Sequence, residues 1–162
     1  MTRWNARHSF RSIWTWIKKG ALMTHTTHIK VRGYHLDLYS HVNNARYLEF
    51  LEEARWSFFE DRGDLPRFLT SGLALIVVNI NIDYRYPATM GDELGIESTV
   101  KSISNRSAVI HQRVMLAGTD KVVAEADVTF VAFDSKQNKA VQISGELRTL
   151  LETMRDSEPE SV

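Results

Sequence analysis

The sequence predicts an α+β domain in which one long helix, placed early in the chain, is followed by a meander of long strands and a closing helix. Three observations carry this. Between Ala45 and Arg62, Leu48, Leu51, Phe58 and Phe59, with Ala45, Tyr47 and Trp56 beside them, recur on a helical spacing. Four runs between Leu73 and Phe133 alternate apolar and polar residues with the period of two of half-buried strands. The 162 residues suffice for one globular domain that buries roughly 70% of its unfolded surface, and fall short of two ordinary ones.

In chain order, residues 1–22 are a segment of a different kind. They hold Arg3, Arg7, Arg11, Lys18 and Lys19 and no acidic residue, so the rest of this formally neutral chain carries a net charge of −5. Phe10, Ile13, Trp14, Ile17 and Ala21 follow i, i+3, i+4, i+7 spacing, a basic amphipathic face that can lie on an anionic membrane surface. The apolar stretch Ser12 to Ile17 is short, broken by threonine and followed by two lysines, unlike a secretion signal. Because Met23 opens a segment that makes sense alone, a disordered extension or a misassigned start explains residues 1–22 more cheaply than membrane contact. The domain is therefore expected over 23–156, with a frayed tail at 157–162.

From Thr26 the period is two: Ile29 and Val31 alternate with polar residues up to Gly33, a short strand. A turn-like stretch, Tyr34 to Asn44, leads into the long helix, which Gly63 is expected to cap. A proline-containing connection, Asp64 to Gly72, follows. The first long strand, Leu73 to Tyr86, sets Ile76, Val78, Ile80, Ile82 and Tyr84 on one face against Asn79, Asn81, Asp83 and Arg85 on the other, and Pro87 ends it. Glu93 to Ser104, Ser107 to Leu116 and Lys121 to Phe133 repeat the theme, the last two joined by a turn at Gly118 to Asp120. Ser144 is a candidate N-cap for a helix through Leu147, Leu150, Leu151 and Met154. One helix cannot cover both faces of five strands, so the sheet is expected to wrap the helix and to offer an edge or its other face to a second copy.

Composition excludes several functions. The chain has no cysteine, which removes disulfide scaffolds, cysteine nucleophiles, iron–sulfur clusters and thiolate zinc sites. Zero formal net charge gives no pull towards nucleic acid, and no apolar run approaches the roughly 20 residues that span a bilayer. A soluble, cytoplasmic protein is expected. Glu49, Glu52 and Glu53 have a spacing that can hold a metal, but Arg46, Arg55 and solvation explain them more cheaply. His25, His28 and His35 are too loosely placed to be ligands, so neither metal nor cofactor is expected.

Chemistry concentrates in Tyr34 to Tyr47. Asp37 and His41 lie four residues apart just before a helix whose first N–H groups lack intrahelical partners. Such donors, at the positive end of the helix dipole, suit a carbonyl oxygen gaining charge. Asp37 can then attack a carbonyl or deprotonate water, while His41 or Asn43 orients water or substrate. The plainer reading is that Asp37 or Asn43 caps the helix and His41 is a surface residue.

Asp37-x-x-x-His41-Val42-Asn43-Asn44-x-x-Tyr47, followed by Glu52 and Arg55 on the helix, resembles the signature of hotdog-fold acyl-CoA thioesterases of the 4-hydroxybenzoyl-CoA thioesterase class, the YbgC/FadM type. Tyr84-x-x-Pro87, Gly91-Asp92-x-Leu94 and Asn105-Arg106-Ser107 continue it, and the likeness, greatest to the long-chain FadM type, covers about residues 28 to 154. The resemblance implies a hotdog fold, a five-stranded antiparallel sheet around one central helix plus a C-terminal helix, assembled as a homodimer or homotetramer with sites between subunits. It puts Asp37 in the place of the catalytic carboxylate, as nucleophile or general base, with His41 in support. Backbone N–H groups near His41 to Asn43 take the place of the oxyanion hole, so Val42, Asn43 and Tyr47 become candidates for holding the oxyanion or positioning substrate. One departure stands out: plant acyl-carrier-protein thioesterases carry Asp-x-Asn-x-His-Val-Asn-Asn, and Tyr39 occupies the middle Asn position here. Arg85 and Arg106 are candidates for the CoA phosphates or ordinary surface arginines. The leading expectation is hydrolysis of medium- to long-chain fatty acyl-CoA. The alternatives are a hotdog hydratase, a thioesterase for acyl carrier protein or aromatic acyl-CoA, and a non-catalytic thioester-binding module. Bulky residues of the helix (Phe50, Leu51, Trp56, Phe58, Phe59) and the run Leu73 to Ile82 either surround an acyl channel or fill the core.

Overall fold

A computed structural model describes residues 25–63 and 65–155; the expectations for 1–22 and 157–162 lie outside them. Strand β1 (His25–Lys30) is followed by a single 3-10 turn (Gly33–His35) and the long helix α1 (Asn44–Arg62). A short helix α2 (Leu65–Ser71) leads to β2 (Leu73–Tyr84), β3 (Glu93–Ile103), β4 (Ser107–Leu116) and β5 (Val122–Asp134). A two-residue strand β6 (Lys139–Ala140) and helix α3 (Gly145–Thr153) close the order. The sheet is antiparallel throughout, ordered β1-β3-β4-β5-β2 with β6 paired to β5, so β2 forms one edge. No helix among the described residues is long and apolar enough to cross a membrane.

Alternation, interrupted in β5 by a register shift at Val123, places residues of β3, β4 and β5 against α1. Ile96, Ile110, Val114, Val123, Ala124, Ala126 and Val128 are buried beneath the helix's own buried stripe of Tyr47, Phe50, Leu51, Ala54 and Phe58. A second cluster, with Phe130, Ile143, Leu147, Leu151 and Met154, seats α3 over the far end of the sheet. One polar network crosses the core. Gln112, fully buried on β4, donates to Leu51 O and Ser98 Oγ at 3.0 Å each and accepts from Arg55 Nη1 at 3.0 Å.

Several expectations need correction. The stretch 64–72 contains a helix, too short for its apolar period to show. On α1, Leu48 and Trp56 are exposed rather than buried; the stripe runs through Phe50 and Ala54 instead. Gly63 does cap α1, its N–H donating to Phe59 O, but with φ of −109°. It is needed for space: a Cβ there would stand 2.7 Å from the Phe59 carbonyl oxygen. Ser144 is the N-cap of α3 without a side-chain cap bond. Strand β2 is not one uninterrupted alternation. A register shift between Val77 and Asn79 swaps its faces, so Leu75 and Val77 lie opposite Ala132 and Phe130, and Ile80 and Ile82 opposite Val128 and Ala126. Ile76 thereby joins the outward face, and the exposed Asn79 and Asn81 stand opposite Thr129 and Asp127 on the face away from α1.

Candidate active site

The loop before α1 is built around Asp37. Its Oδ1 accepts from Tyr39 N–H at 2.8 Å and from His41 N–H at 3.4 Å, while its own N–H donates to His41 O at 2.8 Å. This side-chain-to-backbone turn carries Ser40 through φ of 61°, the left-handed region, an uncommon conformation for a serine. Both hydrogen bonds to the Asp37 carboxylate within the described residues run to Oδ1, which leaves Oδ2 uncommitted on a half-buried residue that lines a cavity.

A second loop, residues 85–92, clamps the first. Val42 N–H donates to Ala88 O at 2.9 Å, Gly91 N–H to Val31 O at 3.0 Å, and Asp92 Oδ2 accepts from Thr89 N–H and Oγ1. Gly91, at φ of 93°, makes that bend. The Gly91-Asp92 motif is thus a brace. His35 braces from below: it is buried edge-on against Phe50, accepts from Arg32 N–H through Nδ1 at 2.9 Å, and its carbonyl accepts from Asn43 N–H at 2.9 Å. Burial lowers its basicity, with Arg46 adding to the effect, which suits the acceptor role of Nδ1.

These bonds decide which N–H groups at the start of α1 stay free. Val42 N–H is bonded to Ala88, Asn43 N–H to His35, and His41 N–H points at Asp37. Within the chain, each of the three amides from His41 to Asn43 thus already has an acceptor. Asn43 is the helix N-cap, its Oδ1 accepting from Ala45 N–H at 2.9 Å, as the plainer reading had it. The next amide, Asn44 N–H, finds no acceptor among the described residues, and Asn44 lines the same cavity as Asp37. Its carbonyl is fixed by Tyr84 Oη at 3.0 Å.

The cavity, about 460 Å³, is walled by Asp37, His41, Asn44, Tyr47, Tyr84 and Arg85. His41 is exposed at its mouth. Tyr47 is buried, packed on Tyr84 with ring centroids 5.5 Å apart; burial raises its phenol pKa against a backbone hydrogen bond with Ala88. Arg85 reaches the cavity while bound to Glu125 at 2.8 Å. Arg106 does not join it. Its carbonyl accepts from Ala132 N–H, and Ala132 lies eight residues along β5 from Ala124, the partner of Tyr84, or about 27 Å at 3.4 Å per residue. No group of three or more His, Asp or Glu placed to hold a metal ion occurs among the described residues.

A second, apolar cavity of about 260 Å³ opens between α1, α2 and β2, lined by Trp56, Phe59, Phe68, Leu73, Leu75 and Val77 with Arg55 and Glu52 at its rim. Phe50, Leu51 and Phe58 belong to the core instead. The shifted register of β2 is what turns Leu73, Leu75 and Val77 towards this space.

The family model of the thioesterase-like superfamily matches residues 31–151. The chain is 50% identical over 128 residues, 79% of its length and 97% of the relative's, to the long-chain acyl-CoA thioesterase FadM of Escherichia coli strain K12. It is 26% identical over 132 residues, 81% of its length and 69% of the relative's, to the chloroplastic acyl-acyl carrier protein thioesterase ATL3 of Arabidopsis thaliana. Among solved structures it is similar to the probable thioesterase YbaW from Escherichia coli, with a TM-score of 0.75 and 50% identity, covering 80% of this chain and 97% of that one. Slr0204 of Synechocystis, a 1,4-dihydroxy-2-naphthoyl-CoA thioesterase, shares the fold with a TM-score of 0.70 at 22% identity, over 80% of this chain and 96% of that one.

Proposed function

The chain belongs to the thioesterase-like superfamily, has its hotdog fold and is an acyl-CoA thioesterase; from that premise we propose how its residues act and on which substrates. Asp37 serves as nucleophile or general base, and the Asn44 backbone N–H, at the positive end of α1, stabilises the oxyanion. Water supplies the oxygen of the new C–O bond, the C–S bond breaks, and the products are a fatty acid and CoA. The observation that carries this reading is the pair on one cavity wall: a carboxylate with an uncommitted oxygen and a helix N-terminal donor without an acceptor. His41 supports by orienting water or substrate, and Arg85 meets the CoA phosphates at the mouth.

The apolar cavity supports a long tail. Twelve residues of α1 separate Asn44 from Trp56, about 18 Å of helix, so a tail must be medium to long to fill it. Each methylene it buries contributes up to about 0.8 kcal/mol. Edge strand β2 leaves Ile76, Val77 and Val78 between 41% and 56% exposed, beside Trp56 at 46% on α1. An apolar edge of this kind is suited to a second copy, and supports a homodimer or a homotetramer built as a dimer of dimers.

A saturated acyl-CoA series with detection of free thiol tests the reading. We expect kcat/KM to climb with chain length and then level, and Asp37→Ala to abolish release. Tight binding without turnover would leave a thioester-binding module, and a peak at acetyl-CoA or benzoyl-CoA would remove the tail cavity from the account.

A further inference from the structure

The outward face of the sheet carries a row of charges that starts at the candidate active site and crosses to β3. Arg85, a residue of the cavity lining, holds Nη2 2.8 Å from Glu125 Oε2 and 3.6 Å from Asp83 Oδ2. Glu125 Oε1 faces His111 Nε2 at 3.1 Å, and His111 Nδ1 faces Asp127 Oδ1 at 2.7 Å. Asp127 Oδ2 accepts from Lys101 Nζ at 2.6 Å. The strand register produces this order. His111 stands opposite Asp127 on one side and Thr99 on the other, and Arg113 opposite Glu125 and Glu97. Arg113 and Glu97, 3.7 Å apart, form a neighbouring pair of their own.

His111 is the one imidazole in the row. Both its nitrogens face carboxylates, and only an imidazolium donates at both; a neutral ring turns a lone pair towards one of them. Asp127 remains charged to hold the ring: burial pushes its carboxyl up, but hydrogen bonds from Lys101 and His111 outweigh burial and hold it below the usual range. With His111 protonated, Lys101, His111 and Arg85 balance Asp127, Glu125 and Asp83. Without that proton the row carries one unbalanced negative charge, and Glu125 is left to Arg85 alone. The His111 and Glu125 side chains are only 25% and 28% exposed, so solvent screens their interaction less than it screens a pair on the open surface.

We propose that His111 is a positioning residue for CoA recognition, acting through Glu125 on how much of the Arg85 cation is presented to the CoA phosphates. This rests on the reading of Arg85 as the phosphate-binding residue. A protonated ring shares Glu125 and frees Arg85 to face the ligand. A neutral ring leaves Arg85 compensated and the phosphates repelled.

Calorimetric binding of CoA, and of pantetheine as the phosphate-free probe, tests this on the full chain without requiring turnover. From the lower to the higher end of a pH series, the CoA Kd of the wild type should rise relative to that of His111→Gln by about threefold, the scale of one partly screened charge. His111→Gln should bind CoA about as weakly at the lower pH as wild type does at the higher one. Glu125→Gln should tighten CoA binding and flatten its pH dependence, an effect that loss of folding cannot produce. Pantetheine affinity should follow none of these changes. Parallel shifts for CoA and pantetheine, or wild-type pH dependence in both variants, would overturn the proposal. Unchanged CoA affinity in Arg85→Gln would overturn it at its premise, and failure of the thioesterase reading would show separately, as CoA binding without thiol release from acyl-CoA.

Discussion

Replacing Asn44 by proline tests the oxyanion assignment at a single hydrogen atom. Asn44 is the first residue of α1, where a proline removes an N–H that makes no intrahelical bond and brings a φ already suited to the helix. The residue before a proline must be extended, and the N-cap Asn43, at φ −59° and ψ 137°, already is. The Asn44 carbonyl that accepts from Tyr84 is untouched. Folding stability should therefore change by about 1 kcal/mol or less. Losing one preorganised oxyanion donor should lower kcat by about 100- to 1,000-fold, or roughly 2.7 to 4 kcal/mol of transition-state stabilisation. Asn44→Ala is the reference, because it removes the same side chain and keeps the N–H. The assay is steady-state hydrolysis of a long-chain acyl-CoA with thiol detection, beside thermal melts of all three proteins. A proline variant that melts like the alanine variant and turns over within about threefold of it would refute the assignment and send the search to other donors.

Asp37→Asn should lower kcat by about 100-fold or more with little change in KM. The amide oxygen can still accept from Tyr39 N–H, so the turn survives, and near-normal turnover in that folded variant would end the role of Asp37. Gln112→Leu should cost about 2 to 4 kcal/mol in urea unfolding, because Ser98 and Arg55 lose a buried partner; adding Ser98→Ala should cost less than the separate effects combined. Strict additivity, or a loss under about 0.5 kcal/mol, would show that the network contributes little. Light scattering of dilute protein should give a dimer or larger, and an active, stable monomer would contradict the use of the β2 edge for a second copy.

The strands were legible because alternation is a property of neighbouring residues. Ser107–Leu116 is the span expected, and β3 and β5 differ from expectation by one residue at their ends. Strand β2 shows the limit. Its register shift at Val78 depends on pairing with Phe130 and Thr129, some fifty residues away, and an apolar run such as Leu75 to Val78 reads equally well on either face. The helical stripe was misplaced for a related reason: α1 carries more apolar residues than one chain buries, so spacing alone did not separate Phe50 and Ala54, which pack on the sheet, from Leu48 and Trp56, which do not. Gln112 gave no signal at all, since its burial follows from three partners on two other elements, Leu51 and Arg55 on α1 and Ser98 on β3.

The candidate site divides along the same line. Asp37 and His41 could be picked out by residue type and by their place before a helix, and they do share one turn and one cavity. Which amide faces that cavity is a matter of accounting for every N–H in the loop. The partner of Val42 sits on the 85–92 loop, and the partner of Asn43 is a carbonyl whose own residue is fixed by burial against Phe50. Those tertiary bonds occupy two donors that a spacing argument leaves free, and Asn43 Oδ1 takes a third, at Ala45. Of the amides from His41 to Arg46, that leaves the one of Asn44, in the first turn, where a helix N–H has no intrahelical partner. On the proposed reading, the same bonds that rigidify the loop also select the oxyanion donor. Loosening the brace, for instance at Asp92 or His35, should then reduce turnover by releasing competing amides as much as by displacing Asp37.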